Sequence, residues 1–348
     1  MYIPPFDITS EMLHLISEIS EQVGIINMRL GENVPSPLLR KKSQIKTIHS
    51  SLAIEHNSLS LKQVTDIIDG KRVLGAPDEI QEVKNAIEAY RLMPKLDAFK
   101  EKDLQKAHGL MMKDLVKQAG HYRQEGVGVF DGNGNCIHMA PPADRVPQLM
   151  SDLFRWVKTT KEHPLIYSCV FHYEFEFIHP FVDGNGRMGR FWQTMLLSRW
   201  KGIFAWLPVE TIVKEHQQGY YNVIAKSDAA GNSTMFVEFM LKCLLDAMEN
   251  YGDIEGETEE LHDKLHDKLH DKFPELSERA FDVLNVLRCH PGLKAEEIGK
   301  QVALSERQVK TYLNTLKQAG LIVRVGSNKT GHWEVVVPGE GRCKRDDG

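Results

Sequence analysis

The sequence predicts a mainly α protein: a helical bundle carrying one short β-hairpin, followed by a separate module of three helices and a terminal hairpin. Three observations predict it. Apolar residues recur at helical spacing through most of residues 9–249. One alternating stretch, residues 127–139, is built around Asp131-Gly132-Asn133-Gly134-Asn135, residue types that close hairpin turns. Residues 275–337 show three further helical segments and then two short apolar runs about a Gly326-Ser327-Asn328 turn.

Taken in order, residues 9–30 form the first helix, with Met12, Leu15, Ile16, Ile19, Val23 and Ile26 on one face. A second runs from Pro37 to Ile54 and a third from Ser60 to Asp69. Residues 78–93 and 103–117 continue the pattern, the latter through Leu104, Ala107, His108 and Met111. After the hairpin, helices are expected at 145–158, 164–178, 187–199, 210–227 and 233–249. Within 164–178 the run from Phe171 to Phe177 alternates apolar and polar, the period of a strand, whereas Leu165, Ile166, Cys169 and Val170 fit a buried helix. Residues 252–260 are acidic and nearly devoid of apolar side chains. Three Leu-His-Asp-Lys units then begin at Leu261, Leu265 and Leu269, placing the leucines on one helical face as a connector or a dimer contact. His262, His266 and His270 face away from that seam with no cysteine beside them, which argues against a metal site. Three helices and a hairpin in 275–337 resemble a winged helix-turn-helix.

Composition excludes several classes. At 348 residues, 42% hydrophobic and 26% charged, the chain suits a soluble protein of two or three domains. A net charge of −5 gives no global field for nucleic acid. The five cysteines are scattered, with no CxxC pair, as in a reducing compartment. The first residues lack a basic and an apolar leader region, and no apolar run reaches membrane-spanning length, so a cytoplasmic location is expected and no membrane partner.

Chemistry concentrates in His179-Pro180-Phe181-Val182-Asp183-Gly184-Asn185-Gly186-Arg187-Met188-Gly189-Arg190. Twelve residues hold a base, a carboxylate of the kind that holds Mg²⁺, glycines and two arginines. Glycines let backbone N–H groups approach phosphate oxygens, and a following helix N-terminus adds its positive dipole end. Arginines clamp phosphates bidentately. A histidine can take the proton of an attacking hydroxyl.

The string matches every specified position of HPFx(D/E)GN(G/K)RxxR and so resembles the signature of the Fic family; the resemblance covers roughly residues 40 to 245. It implies a Fic-type helical bundle with a hairpin flap, and transfer of AMP from ATP to a Ser, Thr or Tyr hydroxyl of a protein, self-modification included. It also implies roles. His179 is the base, Asp183 holds Mg²⁺, and Asn185 with the Gly184–Gly186 backbone cradles anions. Arg187 holds the phosphates and Arg190 the γ-phosphate. Tyr220, Tyr221 and Asn222 resemble a family segment assigned to the base and ribose side of the nucleotide. The hairpin resembles the flap that takes target backbone as an added strand, with Ile137 and Met139 as its clamp. Ser51-Leu52-Ala53-Ile54-Glu55-His56-Asn57 resembles the family's inhibitory motif (S/T)xxxE(G/N): Ser51 and Glu55 match, and His56 departs. By resemblance Glu55 pairs with Arg190, or instead orients a water for removing AMP. The domains are then 1–95 with the inhibitory helix, 96–250 as catalytic core, 251–274 as linker and 275–340 as winged helix.

A rival reading is a DNA-binding regulator whose Fic portion only senses nucleotide. Arg307, Gln308, Lys310, Thr311, Asn314 and Lys317 on one helix suit groove contact. Residues 275–348, however, hold twelve Lys and Arg against ten Asp and Glu, a weak footprint for DNA.

Overall fold

The computed structural model describes residues 2–30, 35, 37–130, 136–251, 273, 276–289, 292–325 and 332–336. The chain divides into two compact units, Met1–Asn33 with Ser43–Tyr251, and Val34–Lys42 with Gly252–Gly348. The acidic stretch and the Leu-His-Asp-Lys repeats lie outside the described residues.

The first unit is built from α1 (Ser10–Leu30), α2 (Pro37–Ile54, counted here from Ser43), α3 (Leu61–Ile68), α4 (Pro77–Leu92), α5 (Glu101–Met111), α6 (Val146–Thr159), α7 (Pro164–Ile178), α8 (Asn185–Trp200), α9 (Val209–Glu215), α10 (Gln217–Ala230) and α11 (Thr234–Glu249). A two-stranded antiparallel hairpin, β1 (Gly128–Phe130) with β2 (Cys136–Met139), interrupts the helices and carries an irregularity in register at Val129/Phe130. No helix among the described residues is long and apolar enough to cross a membrane.

α7 and α8 form the centre. α7 starts on Pro164, which gives up no intrahelical donor, and His163 Nδ1 accepts from the Leu165 N–H. Leu165, Val170, Phe171 and Phe175 of α7 are buried with Met188, Phe191, Trp192 and Leu196 of α8. Each such side chain contributes about 1.5–3 kcal/mol. Phe154 of α6 meets both Phe171 and Trp192 edge-on. Gly189 permits the close approach: a Cβ there would stand 2.5 Å from Glu176 Oε1 and 2.8 Å from His172 Cδ2. α7 is a helix throughout, so the alternation at Phe171–Phe177 does not make a strand.

Two expected helices differ. The helix expected over 103–117 stops at Met111, where residues 112–115 turn and Asp114 takes φ 61°. The single helix expected over 210–227 is two, broken at His216 with φ −103° and ψ 27°. The break turns α10 so that Gln217 Nε2 and the Tyr221 hydroxyl both donate to the Ile54 carbonyl at the end of α2, at 2.9 and 3.3 Å.

The second unit contains α12 (Glu278–Cys289), α13 (Ala295–Val302), α14 (Glu306–Gln318) and an antiparallel hairpin, β3 (Ile322–Val325) with β4 (His332–Val335). Val283, Leu287, Ile298, Val309, Leu316 and Leu321 are buried at its core. Ser305 and Gln308 cap α14 reciprocally, and Arg324 lies 5.0 Å from the centre of the Trp333 ring. This is the winged helix-turn-helix arrangement that the sequence predicts.

Candidate active site

The loop between α7 and α8 holds the motif. α7 ends at His179, whose backbone is left-handed at φ 48° and ψ 61° while its N–H closes the helix on the Phe175 carbonyl at 3.0 Å. A non-glycine residue there costs roughly 1–2 kcal/mol, so other contacts have to hold it. The imidazole is half-buried, with Nδ1 3.4 Å from the Glu176 carbonyl oxygen. Phe181 turns inward and is fully buried, stacked on His108 with ring centres 3.6 Å apart. Gly184 supplies the second left-handed residue, at φ 81°, and caps α8.

Asn185 closes the loop on itself. Its Oδ1 accepts from the Phe181 N–H and its Nδ2 donates to the Phe181 carbonyl, both at 2.9 Å. The carboxamide is therefore spent on loop shape. The first N–H groups of α8 remain without intrahelical acceptors, as at any helix start, and form an anion seat.

His108 of α5 braces this seat. The Gly120 N–H donates to Nδ1 at 2.8 Å, so Nε2 carries the proton and donates to the Asp183 carbonyl at 3.0 Å. Burial pushes the imidazole pKa down to about 4, keeping it neutral. The side chain of Asp183 itself is 56% exposed.

Both motif arginines are buried and both face carboxylates. Arg187 donates to Glu82 of α4 at 2.9 Å and to Asp183 at 3.1 Å. Glu82 also accepts from Asn57 Nδ2 at 2.7 Å. Arg190 donates to Glu55 Oε1 at 2.7 Å, to the Ser51 carbonyl at 3.0 Å and to Ser51 Oγ at 3.2 Å. Burial, the largest single effect, would lower the Arg190 pKa, but Glu55, Tyr220 and Glu176 together outweigh it and hold the guanidinium above its ordinary value. Glu55 follows the end of α2, and His56 then takes φ 68°, the conformation for which glycine or asparagine is the usual choice. A Cβ on Gly186 would collide with Glu55 Oε1, so glycine lets the carboxylate lie against α8.

The structure thus brings His179, Asp183, Gly184, Asn185, Gly186, Arg187, Arg190, Ser51 and Glu55 together. Tyr220 stands one layer inside: it is buried, and its hydroxyl meets His172 Nε2 at 3.0 Å. Tyr221 touches the end of α2, and Asn222 accepts from Gln218 on the exposed side of α10. The side chains of Ile137 and Met139 lie outside the described residues. Glu82, His108 and Arg123, which donates to the His179 carbonyl at 2.7 Å, contact the motif loop and are not singled out by the sequence. Among the described residues no three His, Cys, Asp or Glu side chains cluster as a metal cage. One exposed carboxylate, Asp183, still fits Mg²⁺, which takes one or two carboxylates and fills its remaining positions with water and substrate phosphates.

An imidazole, a helix N-terminus and two buried guanidiniums on one loop are groups that can act on a phosphate-bearing substrate. Residues 98–197 match the Fic/DOC family, and residues 276–323 match a family described as winged helix-turn-helix DNA-binding. A solved Fic family protein from Desulfovibrio desulfuricans is 41% identical, with a TM-score of 0.68 over 98% of this chain and 100% of that one. The chain belongs to the Fic family. It is also similar to proteins named protein adenylyltransferase Fic from Culex quinquefasciatus (29% identical over 222 residues) and Aedes aegypti (28% over 226). Each match takes in 61% of this chain and 42% of the relative, so the chain spans less than half the length of these curated relatives.

Proposed function

We propose that the chain is a protein adenylyltransferase that moves AMP from ATP onto a Ser, Thr or Tyr hydroxyl of a protein, and that Glu55 restrains it. The observation that carries this is the 2.7 Å pair between Arg190 and Glu55, set one helical turn beyond the anion seat that follows His179. The curated relatives, named protein adenylyltransferase, support the same chemistry.

In the transfer, the His179 imidazole accepts the hydroxyl proton as the hydroxyl oxygen bonds to the α-phosphorus. The bond from that phosphorus to the bridging oxygen breaks, and pyrophosphate leaves. The α8 N-terminus, Arg187 and Arg190 neutralise the triphosphate, so catalysis is positioning plus charge. Asp183 is the residue to hold Mg²⁺, which when bound supplies further neutralisation of phosphate charge. Glu55 restrains because it occupies the guanidinium that a γ-phosphate needs. Two anions cannot share one buried cation without strong repulsion.

Incubation with α-labelled ATP tests this. Glu55→Gly is expected to label protein more strongly than the unsubstituted chain by about 5- to 150-fold, the range of a coupling of 1–3 kcal/mol. Absence of label in both, with retention on DNA, would favour the regulator reading. Loss of label from a modified protein would assign Glu55 to removal of AMP.

A further inference from the structure

We propose that Arg123 is a positioning residue for the transfer step, one that registers the hairpin on the catalytic histidine; this rests on the adenylyltransferase reading above. Arg123 lies between α5 and β1 and is 2% exposed. Among the described residues no carboxylate pairs with it. Its guanidinium is spent entirely on main-chain carbonyls: Nε donates to His179 at 2.7 Å, one terminal nitrogen to Glu125 at 2.9 Å, and the other to Ile178 at 3.2 Å and to Pro141. Its own N–H donates to the Pro180 carbonyl at 2.9 Å.

The four side-chain acceptors belong to three segments. Ile178 and His179 end α7, Glu125 precedes β1, and Pro141 follows β2. One planar fork therefore joins both stems of the hairpin to the residue that carries the base. Burying a cation without an anion is expensive, and an apolar side chain of similar volume usually stabilises a core as well or better. A guanidinium earns its place here through geometry, because five donors in a rigid plane can reach carbonyls that no other side chain spans. Its charge also suits the negative end of the α7 dipole. The contact to the His179 carbonyl addresses the strained point directly, since that residue sits in the left-handed region. Without it the backbone at His179 is free to relax, and the imidazole leaves the position in which it meets a hydroxyl presented by the hairpin.

Nucleotide seating depends on other groups. Asn185 shapes the loop, Glu82 and Asp183 hold Arg187, and α2 faces Arg190. Arg123 should thus affect transfer and leave nucleotide binding alone. A brace of purely structural value would move both together.

The test uses the full chain carrying Glu55→Gly, α-labelled ATP as probe and the protein's own hydroxyls as acceptor. Arg123→Lys keeps one donor head and the charge, so ATP affinity by calorimetry stays within about twofold. The label-transfer rate falls about 100-fold, the effect of a displacement near 1 Å. Arg123→Ala gives the same split. Transfer at the rate of the Glu55→Gly parent in either variant would overturn the inference. So would a parallel loss of transfer and ATP affinity, or a lysine variant that no longer folds, each of which makes Arg123 a structural brace. Absence of label in the Glu55→Gly parent itself overturns the adenylyltransferase reading, and the inference falls with it.

Discussion

The two ends of the motif loop are held in different ways. At the His179 end the contacts run to main-chain carbonyls: Arg123 on His179 and Ile178, His108 on Asp183, and Asn185 on Phe181. At the Arg187–Arg190 end both arginines form ion pairs, with Glu82, Asp183 and Glu55, and Arg190 adds bonds to Ser51. A nucleotide has nothing to exchange for a contact to a carbonyl, so the first end is preorganised. It carries the same charge as a carboxylate, so under the proposed function the second end is where nucleotide and Glu55 compete. One short segment thereby separates contacts to main-chain carbonyls from contacts to carboxylates.

The largest expected effect tests the fixed end. Adding His179→Ala to Glu55→Gly should lower label transfer about 10²–10⁴-fold, the range for loss of a general base, with ATP affinity within about twofold. A joint loss of affinity would mean that the histidine also belongs to the nucleotide seat.

A smaller effect tests what holds Glu55 in place. Gln217 and Tyr221 both donate to the Ile54 carbonyl, the last residue of α2 before Glu55. Removing one such bond costs about 0.5–1.5 kcal/mol, so Gln217→Ala should raise basal transfer by about 2- to 10-fold. Unchanged basal transfer would show that α10 does not steady Glu55.

The smallest effect concerns a carboxylate outside the loop and so serves as a contrast. Glu174 of α7 is buried, and burial raises its pKa to about 7, a shift that Asp228 reinforces and the Tyr2 hydroxyl at 2.6 Å opposes. The folded chain therefore binds this proton more tightly than the unfolded chain does. Its contribution, up to about 3 kcal/mol, is complete below about pH 4.5 and is lost as pH rises to about 7. Glu210, raised to about 7 by burial, titrates in the same window. Thermal unfolding midpoints should fall between those pH values, and Glu174→Gln should flatten the slope.

Much of this was legible in the chain because its signals are local. α2 and α7 begin and end where the sequence places them, at Pro37–Ile54 and Pro164–Ile178. The twelve-residue motif carries its own glycines, base and arginines. The strand-like alternation at Phe171–Phe177 misleads because α7 is enclosed on nearly all sides, with His172 and Glu174 buried among its apolar residues. The break at His216 has neither glycine nor proline to announce it. Glu82 and His108 reach the loop across 105 and 75 residues, and nothing in their own helices distinguishes them from an ordinary solvent-facing acid or a core histidine. His56, where the sequence departs from the inhibitory motif, takes the left-handed conformation at φ 68° that the motif's glycine or asparagine would favour.

The most direct measurement compares ATP with ADP by calorimetry on the unsubstituted chain and on Glu55→Gly. If Glu55 occupies the γ-phosphate's guanidinium, the substitution tightens ATP and leaves ADP nearly unchanged. Equal gains for both nucleotides, or no gain for either, would contradict a competition centred on Arg190.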